Sequence, residues 1–280
     1  MHGSAFLTDL KRELHRCWTP PFEAPIVVSV NASLVLALWF LAPPPLLDAV
    51  FTLHGDLALP MILASWMYSD VPATNVLGGD RTAALAALGD PAALRRLLLV
   101  KNAALWCFVS PVCMVGAVAI GALNASGTQL ASDNGHLNGS AWLLTLVAVA
   151  WIAVAPIGAL GVAAWVGVWW PYHPISLRTR FDHRRPYRRM IVRWLFVILV
   201  PYGVVPALTV VVVMPSLLAW KLLARNGLNS ALEWDEFAVG TLLAAVTAVG
   251  MWRMGRRATV RMCERRAVEL RSFLADPLNG

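Results

Sequence analysis

Charge is scarce in this sequence. Asp, Glu, Lys and Arg together make up 14% of its 280 residues, against 58% hydrophobic residues, and the mean hydropathy is +0.63. A soluble domain needs far more charge to cover its surface, so the composition points to an integral membrane protein. Cysteine is sparse as well. Cys17, Cys107, Cys113 and Cys263 form no CxxC pair, which argues against a disulfide framework or a zinc site. There is no GxxxxGK[ST] loop, no GxGxxG turn, no HExxH and no GxSxG, so no recognisable nucleotide or catalytic site is written into the chain. His173, Asp182 and His183 share one loop, but their spacing fits no standard metal site and arginines surround them. No cleavable signal pattern precedes the first apolar run, so that run is expected to stay as a membrane helix.

What the sequence has is long apolar runs. Six spans are expected, at Ile26–Ala42, Leu46–Met67, Leu97–Leu123, Ala141–Trp170, Ile191–Ala219 and Phe237–Met254. Each is continuous rather than alternating and long enough for a hydrocarbon core of about 30 Å. The fold class that follows is an all-α polytopic membrane protein with three parts: residues 1–25 as an interfacial helix and elbow, 26–254 as the six-helix membrane domain, and 255–280 as a basic tail. In the N-terminal arm, Phe6, Leu7, Leu10, Leu14, Cys17 and Trp18 recur at helical spacing, while Lys11, Arg12, Glu13 and Arg16 lie off that face. An amphipathic helix lying in the interface, apolar face down, is expected, followed by a proline elbow at Thr19–Pro25.

The net charge is +7, and its distribution reads as membrane orientation rather than nucleic-acid binding. Of the 23 Lys and Arg residues, only Lys221 and Arg225 fall in the loops of one side. By the positive-inside rule both termini are then cytoplasmic, and a bacterial cytoplasmic membrane is the expected location. The 171–190 loop carries Arg178, Arg180, Arg184, Arg185, Arg188 and Arg189. The tail continues the sixth helix with a stripe of Arg253, Arg257, Arg261 and Arg265 beside an apolar seam of Val260, Cys263, Ala267, Leu270 and Leu274. Both basic sets suit anionic headgroups. Asp56, with His54 two residues before it, falls near the middle of the second expected span. A carboxylate there faces a bundle interior or a wet cavity, as a proton or substrate contact or as a structural hydrogen bond.

The stretch Asn75–Lys101 is distinctive. Gly78 and Gly79 break the preceding helix, Asp80 caps a short helix over Arg81–Leu88, and Gly89 closes it in the left-handed conformation. Asp90 caps again with Pro91 at the first helical position. Asp80, Arg81, Leu85, Leu88, Arg95 and Arg96 are expected to present charge and apolar side chains to a soluble partner. The stretch resembles the first cytoplasmic loop of type-2 ABC exporter permeases in its Asn75, Asp80-Arg81, Leu88 with Pro91, and Lys101. The resemblance implies that Arg81–Leu88 is a coupling helix pressed by a separate ATP-binding-cassette subunit. It further implies that permeases pair as a homo- or heterodimer, that ATP and Mg bind the partner and no cofactor binds this chain, and that the cargo is amphipathic or apolar. Two other classes stay open: a proton-coupled carrier using Asp56, and a non-transporting membrane scaffold or accessory subunit.

Overall fold

The computed structural model describes residues 2–19, 22–41, 43, 57–68, 75–126, 140–169, 171, 188–223 and 233–275. Nine α-helices occur among them: α1 (His2–Cys17), α2 (Glu23–Leu41), α3 (Ala58–Met67), α4 (Arg81–Ala87), α5 (Pro91–Ala125), α6 (Ala141–Trp169), α7 (Arg188–Leu223), α8 (Trp234–Arg265) and α9 (Ala267–Ala275). One 3-10 turn, Gly78–Asp80, leads into α4. By length and composition α2 (from Ala24), α5, α6 and α8 can each cross a membrane, while α3 and the Gly203–Ala219 part of α7 are apolar but shorter. Bands of bare apolar side chains back this reading. Val112 and Val115 on α5 are 64% and 69% exposed, and Leu242 and Val246 on α8 are both 63% exposed. Contiguous apolar surface of this kind is suited to lipid rather than water.

Helix α6 is the central post, packing against α3, α5, α7 and α8. It is apolar nearly all round, with Trp142, Leu146, Trp165 and Trp169 exposed and most of its other residues buried or half-buried. Its closest neighbour is α8, and small residues set that approach. A Cβ built on Gly161 would sit 2.5 Å from the Trp252 Cα, and one on Gly158 would sit 3.2 Å from the Ala248 Cα. A Cβ on Gly255 would collide with the Gly161 carbonyl. Backbones this close are typical where membrane helices associate through van der Waals packing.

Prolines inside α5 and α6 do not break them. Pro156 has no N–H for the Ile152 carbonyl one turn earlier. The Ser110 hydroxyl of α5 donates to that carbonyl at 3.1 Å, and Tyr68, just past α3, lies 2.8 Å from the same Ser110 oxygen. Trp106 Nε1 donates to the neighbouring Ala153 carbonyl at 2.8 Å. Three helices are thus joined by hydrogen bonds at the point where proline frees the backbone.

Candidate functional site

The 75–101 stretch lies at one end of the bundle, and its local chemistry follows from its sequence. Asp80 Oδ1 accepts from the Ala83 N–H at 3.0 Å, and Asp90 Oδ1 accepts from the Ala92 N–H at 2.8 Å. Each carboxylate satisfies a donor that a helix start leaves free. Pro91 stands at the first position of α5. Leu88 closes α4 with an ordinary right-handed backbone, its N–H donating to the Ala84 carbonyl at 2.9 Å. The expected left-handed Gly89 is corrected here. Gly89 has no positive φ, and a Cβ on it would meet only the end of the Arg271 side chain, at 3.0 Å.

The apolar side of α4 is occupied by the chain itself. Leu88 is only 6% exposed, in a cluster with Leu77, Ala84, Leu94, Leu98, Val168, Val260, Cys263, Leu270, Phe273 and Leu274, and half-buried Leu85 packs against the same cluster. Leu88 is therefore a core residue, not the exposed partner contact that the sequence suggested. The cause lies nearly two hundred residues away. The seam expected at 260–274 is indeed apolar and buried, but it spends that face on α4. Helix α9 turns back at Arg266, and Arg81 Nη2 donates to the Ala275 carbonyl at 2.6 Å. Arg266 fixes the turn. It pairs with Glu269 through two hydrogen bonds of 2.8 and 2.5 Å and donates to the Val168 carbonyl of α6 at 2.8 Å. What remains exposed on the stretch is Arg81, Thr82, Ala86, Gly89–Ala92, Arg95 and Arg96, with Asp80 half-buried.

Helix α1 grips the same stretch through its charges. Glu13 Oε1 lies 3.1 Å from Lys101 Nζ, with the lysine side chain 6% and the glutamate 13% exposed. Arg16 pairs with Glu13, donates to the Gly79 carbonyl at 2.7 Å and stands 3.8 Å from Asp80. Asp9 accepts from Arg96 at 2.7 Å. Burial pushes the Glu13 carboxyl up, but the hydrogen bond and charge of Arg16 and the charge of Lys101 outweigh it, so it titrates below its ordinary value. Burial likewise pushes the Arg16 guanidinium down, and Glu13 more than restores it. These side chains lie off the apolar face of α1, as expected, and they meet the bundle rather than water. Glu13 and Arg16 turn inward, whereas Leu7 is 63% and Trp18 59% exposed. Asp9, Glu13 and Arg16 fall at i, i+4 and i+7, so they share a face. That spacing, set beside Arg96 and Lys101 five residues apart, was the signal available in the sequence.

Arg253, Arg257, Arg261 and Arg265 are all exposed on α8, as their stripe requires. Arg188 and Arg189 open α7. His54, Asp56, Arg178, Arg180, Arg184 and Arg185 lie outside the described residues. Among the described residues no three His, Cys, Asp or Glu side chains gather as metal ligands. What the arrangement offers is mechanical. A short capped helix is tied by ion pairs to α1, by its chain to α5, and by apolar packing to the ends of α6 and α8. No family model matches the chain, and no curated protein or solved structure matches it.

Proposed function

We propose that this chain is the membrane-spanning permease subunit of an ATP-driven exporter of the type-2 ABC kind. In this reading six spans cross a bacterial cytoplasmic membrane with both termini inside. The chain works as a homo- or heterodimer with ATP-binding-cassette subunits that hold ATP and Mg. One observation carries the reading: α4 is braced against the ends of three apolar helices at once through Leu88 in the shared cluster, and against α1 through Asp80 and Arg16. A load on α4 is passed to α5, α6 and α8 together, which is what coupling to alternating access requires. The face offered to the ATPase is polar, built from Arg81, Thr82, Arg95 and Arg96, with Leu85 and Leu88 as the packing beneath it. Amphipathic or apolar cargo belongs to the same proposal.

The test is photo-cross-linking from position 82 of the full chain in native membranes. An adduct with an ATP-binding-cassette subunit, whose ATP hydrolysis rises when the chain is present, supports the proposal. Cross-linking to lipid alone, with no ATPase retained through purification, sinks it. A second reading has a specific observation behind it: α9, whose Ala275 carbonyl accepts from Arg81, already covers one side of α4, as in an accessory subunit closed by its own tail. Removal of residues 267–280 separates the two. An exporter subunit gains or loses ATPase stimulation on truncation, whereas an accessory subunit has none to change.

A further inference from the structure

A cavity of about 300 Å³ opens between α5, α6 and α8, walled by Leu99, Ala103, Trp106, Leu160, Val249 and Trp252. Its wall holds one amide side chain, Asn102. That residue is 5% exposed, and its Oδ1 has no hydrogen-bond partner among the described residues. A buried amide oxygen left without a donor is costly and calls for one. The tryptophan beside it is already committed, since Trp106 Nε1 donates to Ala153.

Arginines lie one helical turn from the groove's wall on two of its helices. Arg95 lies one turn before Leu99 on α5. Arg256 lies one turn beyond Trp252 on α8 and stacks over its ring at 4.1 Å. Arg95, Arg253 and Arg257 all act electrostatically on Arg256. Among the described residues none of these four arginines has an acidic partner. Like charges brought together without counter-charge, at the mouth of an apolar slot on a membrane helix bundle, complement one kind of occupant.

We propose that this groove binds a single anionic phospholipid. Its phosphate sits between Arg95 and Arg256, a headgroup or glycerol hydroxyl donates to Asn102 Oδ1, and one acyl chain fills the slot over Leu160 and Val249. The site is made only of α5, α6 and α8; it shares Arg95 with the face proposed for the ATPase, and lipid binding is therefore read on this chain alone, with no ATPase present. Arginine suits the role because its planar fork grips phosphate and stacks on an aromatic face at once.

Native mass spectrometry of the full chain in detergent tests this, titrating phosphatidylglycerol against phosphatidylcholine with the same acyl chains. One phosphatidylglycerol is expected to bind ahead of all others, with inorganic phosphate failing to displace it. Each arginine near an anionic surface is worth about 5-fold in affinity, so Arg95→Gln with Arg256→Gln should weaken this first binding by roughly 25-fold. Arg12→Gln with Arg271→Gln, both exposed and away from the groove, should change it by less than about 3-fold. Ala103→Phe fills the slot and should abolish the first binding while all four arginines remain. If that variant does not purify as a single species, Asn102→Leu replaces it and should weaken binding of the hydroxylated headgroup. Equal binding of phosphatidylcholine overturns the proposal, as does equal loss in both arginine pairs or displacement by free phosphate. Unchanged binding in Ala103→Phe or in its replacement overturns it too.

Discussion

The ion pair between Glu13 and Lys101 is more buried than the Asp9–Arg96 pair that joins the same two helices, and Glu13→Gln tests it. Lys101 is 6% exposed and Glu13 is its only ion-pair partner among the described residues. The substitution therefore leaves a buried ammonium without counter-charge, a loss of about 3–5 kcal/mol in comparable sites. Arg16 is not stranded, because it keeps the Gly79 carbonyl and Asp80, and Asp9–Arg96 still joins the same two helices. The lower end, about 3 kcal/mol, is thus the working figure. It corresponds to a rise of roughly 100-fold in the opening of α1 from the bundle. Amide hydrogen exchange of residues 6–16 reads that opening directly. Lys101→Met should be milder, since Glu13 retains Arg16. The double variant should be milder than Glu13→Gln alone, because no buried charge is left over. The pH dependence has a definite sign. The folded Glu13 carboxyl titrates below its unfolded value of about 4.3, so its contribution is complete above that value and is lost as pH falls through the lower folded one. Wild-type protection of α1 should hold from neutrality down to about pH 5 and then decline, and Glu13→Gln should lack that decline. A change of less than about 3-fold in α1 exchange for Glu13→Gln would mean that the pair does not hold the helix, and the reasoning would fail.

Three further outcomes follow from the packing. Gly161→Val should lower the thermal stability of the detergent-solubilised chain by about 3 kcal/mol or more, because its Cβ meets the Trp252 backbone rather than a side chain that can turn aside; a near-native melting temperature would refute the close approach of α6 and α8. Ser110→Ala should cost about 0.6–1.7 kcal/mol in the same assay, the range for hydrogen bonds between membrane helices, and combining it with Tyr68→Phe should cost little more, because both remove one connected network. Single cysteines at Thr82 and Arg271, exposed positions of α4 and α9, should react with a membrane-impermeant maleimide from the same side, and opposite sidedness would contradict the packing of α9 on α4.

The local parts of this structure were legible because they depend on a few adjacent residues. Asp80 and Asp90 announce helix starts through carboxylates that reach N–H groups two or three positions on, and the seam at Val260, Cys263, Leu270 and Leu274 announces a buried face through spacing alone. What covers that face was not legible. Leu88 looks like a docking residue in sequence, since nothing near it supplies a partner, and it becomes core only because α9 folds back across α4. The ion pairs of α1 were hidden for a related reason. Charged residues on an amphipathic helix read as solvent-facing, and their turn inward depends on Arg96 and Lys101 nearly ninety residues on. The vacancy left by Pro156 is readable from one residue, whereas Ser110 as the group that fills it is a matter of tertiary register.

The near-contact of α6 and α8 at Gly161 and Gly255 has a geometric consequence for motion. With no side chain between the two backbones there, and with Gly158 meeting Ala248 about two turns earlier on α8, the pair has no compliant layer in which to slide. Helix α8 is unbroken from Trp234 to Arg265, so the contact at Gly255 divides one continuous helix into two arms. At 1.5 Å per residue the arm on the Trp234 side is about 32 Å long, and the arm toward Arg265 about 15 Å. The short arm is the one that leads into α9 and packs on α4, so the contact with α6 stands about twice as far from the Trp234 end as from the end where those two helices are attached.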